Sequence, residues 1–344
     1  MILFGKDLAR DVLVVAEIGV NHEGDIDAAS RLLREAAAAG ADAVKFQTYT
    51  PARFIAAADA ERLARVGRFD LGAAGFRRLR AEADALGVGF FSTPVSDDVV
   101  PLLDELCPVF KIASGDVTFE PVIRAAARTG KPLLLSTGVA TVEEIDRAVG
   151  WIADTVGEAA LADRLVLMHC VSAYPTPVNE ANIRAVPFLA ARYGVPVGWS
   201  HHCLEPEPCL AAVALGASVI EVHFTDRKEG RSFRDHQLSF EPADLRRLAD
   251  SVAVVRACLG RAGKTPQPCE IGVRDAIRKG VVAARALPEG HALAAADLMY
   301  ARPATAIPAA ALPDLAGRRL TRALGPGESV ARDGVAPAWV PDGR

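Results

Sequence analysis

The chain has 344 residues, 51% of them hydrophobic and 24% charged, with Lys plus Arg at 39 against Asp plus Glu at 43 for a net charge of −4. This balance excludes a disordered chain, which needs low hydrophobicity and high net charge, and the missing basic excess argues against a nucleic-acid partner. The N-terminal MILFGKDLAR is too short an apolar run for a signal peptide, no stretch approaches the roughly 20 apolar residues of a membrane span, and a cytoplasmic protein without membrane contact is expected. Cysteines at 107, 170, 203, 209, 258 and 269 form no CxxC pair and read as reduced thiols.

In chain order, short apolar runs rich in β-branched residues alternate with alanine-rich helical stretches. Strands are predicted at 12–18, 43–46, 88–92, 109–112, 132–136, 165–169, 195–199 and 218–223. Helices are predicted at 27–39, 74–85, 122–129, 142–152, 180–193, 207–215 and 242–259. Several helices are followed by a glycine that can end them, as in AAAAGADAV and RTGKPL. Such alternation argues for parallel βαβ units, and eight of them within about 260 residues point to a closed (β/α)8 TIM barrel. No GxGxxG follows the first strand, which disfavours a dinucleotide-binding sheet. The predicted organisation is a barrel over 1–262, a linker over 263–279 and a small mostly-β domain over 280–338. The tail from Ala336 reads as a loose end.

The C-terminal strand ends of a parallel barrel share one face, and that face carries the chemistry. Here nearly every strand ends in residues an apolar core would not choose. In order they are Glu17, Asn21 and His22; Lys45 and Gln47; Ser92 and Thr93; Lys111 and Ser114; Ser136 and Thr137; His169, Ser172 and Tyr174; Ser200, His201 and His202; and Glu221 and His223. Any one alone reads more readily as a satisfied core polar group; eight strands ending alike point to a polar site. Two lysines among hydroxyls and glycine turns suit a phosphate or carboxylate. His202 and His223 end neighbouring strands and are candidates to share one divalent metal. Glu17, Glu221 and Asp235 are candidates for activating water or orienting hydroxyls. Spacing alone therefore predicts a metal-assisted barrel enzyme acting on an anionic small molecule.

The same segments resemble the sialic acid synthase (N-acetylneuraminate synthase) family, phosphoenolpyruvate-dependent synthases of nine-carbon 2-keto sugar acids. The matching pieces are AEIGVNHEGD at 16–25, AVKFQT at 43–48, FFSTP at 90–94, FKIASGD at 110–116, LLSTG at 134–138, HCVSAYPTP at 169–177, GWSHH at 198–202, EVHFTDR at 221–227 and ARPATAI at 301–307. The resemblance implies a TIM barrel followed by an antifreeze-like (SAF) domain. It implies phosphoenolpyruvate held by Lys45, Thr93, Lys111, Ser114, Ser136 and Ser200, and a manganese or magnesium ion between His202 and His223. Glu17 would handle the water, Glu221 and Asp235 the sugar hydroxyls, and Gln47, Ser172 and Tyr174 the sugar side. The partners implied are phosphoenolpyruvate and an amino sugar, within a domain-swapped homodimer in which Arg302 reaches the neighbour's barrel.

Departures from the family pattern concern the acceptor. His201 stands where the family has Asp, and either meets the metal or points away. Ser172 replaces an asparagine, the stretch 50–72 is short, and RPATAI replaces RPGxGI, removing a glycine that could take positive φ. N-acetylmannosamine, its 6-phosphate ester and the diamino-dideoxy sugars of legionaminic or pseudaminic type all stay open as acceptors. Two other readings are a Schiff-base pyruvate aldolase using Lys45 or Lys111, and a non-catalytic sugar-binding protein. Borohydride trapping with pyruvate would mark the first, and acceptor binding without turnover the second.

Overall fold

The computed structural model describes residues 1–304 and 306–341, and the chain divides into two compact units, Met1–Gly260 and a second from Arg261 onward. A two-residue hairpin, Ile2–Leu3 with Lys6–Asp7, precedes the barrel. The first unit is a closed parallel barrel of eight strands: β1 (Leu13–Gly19), β2 (Ala43–Thr48), β3 (Gly89–Pro94), β4 (Phe110–Ile112), β5 (Leu133–Ser136), β6 (Leu165–Cys170), β7 (Val197–His201) and β8 (Val219–His223). β8 pairs with β1 to close the ring, setting His223 beside Glu17. All eight predicted strands form, most with their C-terminal ends one or two residues later than the apolar runs suggest.

Strands covered on both faces must be apolar nearly throughout, and every residue of β1 is buried. Trp199, Phe46, Phe90, Phe91 and Phe110 fill the core without solvent exposure. Local chemistry bounds the helices. The Asp25 side chain caps Ile26–Ala38, Thr141 and Glu144 form a capping box on Val142–Val156, and Gly87 and Gly194 end helices at positive φ.

Three local expectations are corrected. The helix predicted over 180–193 begins only at Ala185, because Asn182 sits at φ 44° and breaks the spiral before it. A helix that the pattern did not suggest, Ala60–Phe69, stands over the barrel mouth, and it buries only Val66 and Phe69. The tail is not loose: Val335–Ala336 pairs with Arg319–Leu320, and Trp339 is buried, its backbone N–H donating to the Arg332 carbonyl at 2.9 Å. Residues 342–344, and Thr305 within RPATAI, lie outside the described residues.

In the second unit Gly280–Ala283 pairs antiparallel with Leu298–Ala301 over a core of its own, including Val281, Leu315, Leu320 and Trp339. The preceding stretch carries two helical turns, Pro268–Ile271 and Arg274–Ile277. No helix among the described residues is long and apolar enough to cross a membrane.

Candidate active site

Strand register brings the polar residues together. Glu17 on β1 lies beside Lys45 on β2, Gln47 beside Thr93 on β3, and Ser200 on β7 beside Glu221 on β8. Because side chains alternate faces along a strand, Lys45 and Gln47 point one way while Phe46 packs into the layer behind. The result is a cavity of about 1220 Å³ at the C-terminal strand ends.

Its floor is a knot of buried charge. Lys45 Nζ lies 2.8 Å from Glu17 Oε2 and 3.8 Å from Glu221 Oε1, and Lys111 Nζ lies 3.5 Å from Glu221 Oε1. Lys45 also donates to Thr93 Oγ1 at 3.2 Å, Ser200 Oγ donates to Glu221 Oε1 at 3.0 Å, and Gln47 Nε2 donates to Glu17 Oε1 at 3.2 Å. Burial tends to raise both carboxyls. The lysines outweigh it at Glu221, whose pKa falls, whereas at Glu17 the pull of Lys45 is offset by repulsion from Glu221 and the pKa rises. Burial also lowers the Lys111 amine, while Glu17 and Glu221 overcome burial and raise that of Lys45. Ser136 Oγ and Glu221 Oε2 are buried with no partner, groups that a polar ligand would satisfy.

Around Gly138 the loop after β5 meets its neighbours: Ser114 Oγ accepts the Gly138 N–H at 3.0 Å, and a Cβ at this position would stand 2.3 Å from Ser172 Oγ. Only glycine leaves room for both hydroxyls.

The histidine pair stands on the wall. The ring centroids of His202 and His223 are 5.3 Å apart, and Tyr174 stacks on His202 at 4.1 Å. His202 Nδ1 lies 2.7 Å from the Val171 carbonyl, which only accepts, so Nδ1 carries a proton, and although burial lowers the pKa of this ring, Cys170 outweighs burial and raises it. Burial pushes His223 down to about 3, so its imidazole is neutral. Two adjacent imidazoles fit a divalent cation, whose binding requires the neutral form of both rings. Among the described residues no third His, Cys, Asp or Glu completes a ligand set, so water or substrate oxygens would fill the remaining positions. His201 points away: its Nδ1 accepts from Trp199 Nε1 at 3.1 Å and its ring packs on Phe240.

Of the predicted site residues, Glu17, Lys45, Gln47, Thr93, Lys111, Ser114, Ser136, Ser172, Tyr174, Ser200, His202, Glu221, His223 and Asp235 all line this one cavity. Arg302 is exposed on the second unit. Other strand-end groups are structural. Ser92 bonds Thr48, Asn21 donates to the Phe224 carbonyl, and His169 Nε2 meets the Ala181 carbonyl. Sequence reasoning missed Asp116, which burial raises to about 6 against Lys111, and Cys170, both in the cavity wall. It also missed the arginines of helix Ala60–Phe69, whose signal was three arginines at intervals of three.

Comparison with known proteins adds ancestry to this geometry. The NeuB family model matches residues 32–264, and the SAF domain model matches residues 278–336. The chain is 33% identical to the N,N'-diacetyllegionaminic acid synthase of Campylobacter jejuni, across 91% of this chain and 97% of that protein. It is 30% identical to the N-acetylneuraminate-9-phosphate synthase of Drosophila melanogaster, across 97% of this chain and 98% of that protein. The crystal structure of N-acetylneuraminic acid synthetase from Leptospira borgpetersenii, in complex with citrate, matches with a TM-score of 0.72 at 33% identity, covering 78% of this chain and 92% of that one.

Proposed function

The chain belongs to the NeuB family, and on that premise we propose that it condenses phosphoenolpyruvate, an open-chain N-acyl hexosamine and water into a nine-carbon 2-keto-3-deoxy sugar acid and phosphate. It is a carbon–carbon bond-forming transferase. The observation that carries the reaction is the buried floor, where Lys45 and Lys111 interleave with Glu17 and Glu221 beside a pair of imidazoles.

Lys45, Lys111, Thr93, Ser114, Ser136 and Ser200 receive the carboxylate and phosphate of phosphoenolpyruvate, with positive charge from the lysines and donors from the hydroxyls. The C2–C3 π pair of phosphoenolpyruvate forms the new C–C bond at the aldehyde carbon, the C=O π pair moves to the aldehyde oxygen, which takes up a proton, and C2 is left electron-poor. Water adds at C2, the C2–O bond to phosphorus breaks, and phosphate leaves with the electron pair. Glu17 takes the proton of that water, since its raised pKa makes its carboxylate the more basic of the two. Glu221, held ionised by the lysines, orients sugar hydroxyls together with Asp235. Gln47, Ser172 and Tyr174 line the sugar side. His202 and His223 would hold a manganese or magnesium ion, which when bound polarises the aldehyde as a Lewis acid. In a domain-swapped homodimer, Arg302 of a second copy completes the acceptor site.

The test is consumption of phosphoenolpyruvate with an N-acyl hexosamine and a divalent ion, with the keto acid identified by mass. Turnover is expected to stop on chelation and return with the ion; undiminished turnover after chelation removes the metal from the reading. The lowered amine of Lys111 favours one other reading, a Schiff-base aldolase. A borohydride-trapped pyruvate adduct on Lys111 would assign that chemistry instead.

A further inference from the structure

Four arginines line the cavity mouth and have no task in the condensation: Arg62, Arg65 and Arg68 on helix Ala60–Phe69, and Arg234 just before Asp235. The first three recur every third residue and so lie along neighbouring positions of one helix side. Like charges at that spacing destabilise a helix unless a counter-charge meets them. Other surface arginines show what such a counter-charge looks like: Arg53, Arg77 and Arg78 each stand 2.6 to 2.8 Å from a carboxylate. The Asp59 carboxylate accepts only the backbone N–H of Arg62, at 3.1 Å, and no carboxylate among the described residues lies within 4.0 Å of the guanidinium group of Arg62, Arg65 or Arg68.

Aromatic contacts hold this rim together. The Arg62 guanidinium stands 5.6 Å from the Phe54 ring, and that of Arg234 stands 4.7 Å from the Tyr174 ring. Phe69 and Phe233 meet edge-on at 5.4 Å, tying the helix to the segment that carries Arg234. Arg234 Nε also meets Asp235 at 3.0 Å, so one of the four is partly neutralised. The positive rim is exposed or half-buried, whereas the lysines that receive phosphoenolpyruvate are buried on the floor. The cavity thus offers a second anion site, set apart from the first by depth.

We propose that the acceptor sugar carries an oxyanion at the end remote from its aldehyde, a phosphate ester or a carboxylate, and that Arg62, Arg65, Arg68 and Arg234 bind it. Guanidinium groups recognise both oxyanions through paired N–H donors. This names the acceptor class for the condensation set out above and rests on it.

The experiment uses the full chain with a divalent ion. It compares N-acetylmannosamine, its 6-phosphate and the corresponding 6-uronate, both as substrates with phosphoenolpyruvate and by calorimetric titration without it. One charged sugar is expected to exceed the neutral one by about tenfold or more in kcat/KM and in affinity, as charge-assisted contacts supply. The better of the two names the oxyanion. The triple substitution R62A/R65A/R68A is expected to abolish that preference while the KM for phosphoenolpyruvate stays within about twofold. Arg65→Gln gives a partial loss and serves if the triple variant fails to fold. Equal use and equal binding of the neutral sugar, or a preference that survives the triple substitution, overturns the proposal. If no sugar consumes phosphoenolpyruvate, the condensation falls, and the titrations still decide the anion site.

Discussion

Glu17 and Glu221 are carboxylates of one buried cluster, both within 4 Å of Lys45, yet their surroundings push them apart. The sign matters for rate. If Glu17 accepts the proton of water, its working form is ionised and is lost as pH falls through a pKa above the ordinary carboxylate range. The acid limb of kcat/KM therefore lies higher than a solvent-exposed glutamate would give. Glu17→Gln is expected to lower kcat by about 10²- to 10⁴-fold, to remove that acid limb, and to leave the KM for phosphoenolpyruvate within about twofold. A parallel rise in that KM would recast Glu17 as the group that positions Lys45. Much of this set was legible from strand ends alone, but the sequence left the fate of His201 open and the structure decided it. Period-two alternation places His201 with Trp199, opposite Ser200 and His202, and the Trp199 hydrogen bond to His201 follows from it.

Elements meet the site through loops, and Gly138 shows how closely. The ends of β4, β5 and β6 crowd this glycine so that Ser114 and Ser172 both reach inward. Gly138→Ala is expected to raise the KM for phosphoenolpyruvate about tenfold and to lower stability by about 1–3 kcal/mol, the usual effect of overpacking, read by steady-state kinetics and urea unfolding. An unchanged KM would show that the two serines yield without consequence. The strands were readable because fully buried parallel strands are continuous apolar runs. Helix Ala60–Phe69 was not, since its apolar stripe is narrow, Leu63, Val66 and Phe69, and only the last two are buried. The helix starting at Ala185 was overextended for another reason: a single residue at positive φ, Asn182, interrupts a locally favourable sequence.

At the scale of the whole molecule, the proposed swapped dimer makes a prediction about mixed subunits. Pairing a Glu17→Gln protomer with an Arg302→Ala protomer confines both defects to one site and leaves the other intact. Co-expressed, differently tagged heterodimers are therefore expected to recover about half the wild-type activity, although each homodimer is impaired. No recovery in purified heterodimers would place Arg302 in service of its own chain, or of its own fold. The small unit, expected as a separate mostly-β domain, has its own core; that Trp339 closes it was missed, because nothing local distinguishes a packed C-terminal tryptophan from one in a free tail.

What the amino-acid sequence determined by itself was the alternation of strand and helix, the barrel it implies, and the polar character of one end of nearly every strand. Those are local properties, written in apolar runs, helix-ending glycines and alternation. Tertiary structure alone decided the pairings. Glu17 and His223, some 200 residues apart, become neighbours only because the ring closes between β1 and β8. Lys45 and Lys111 meet one carboxylate, Glu221, from different strands. The depth separating the lysine floor from the arginine rim is likewise a property of the closed barrel. Register and closure depend on hydrogen bonds between distant segments, and no local preference encodes them.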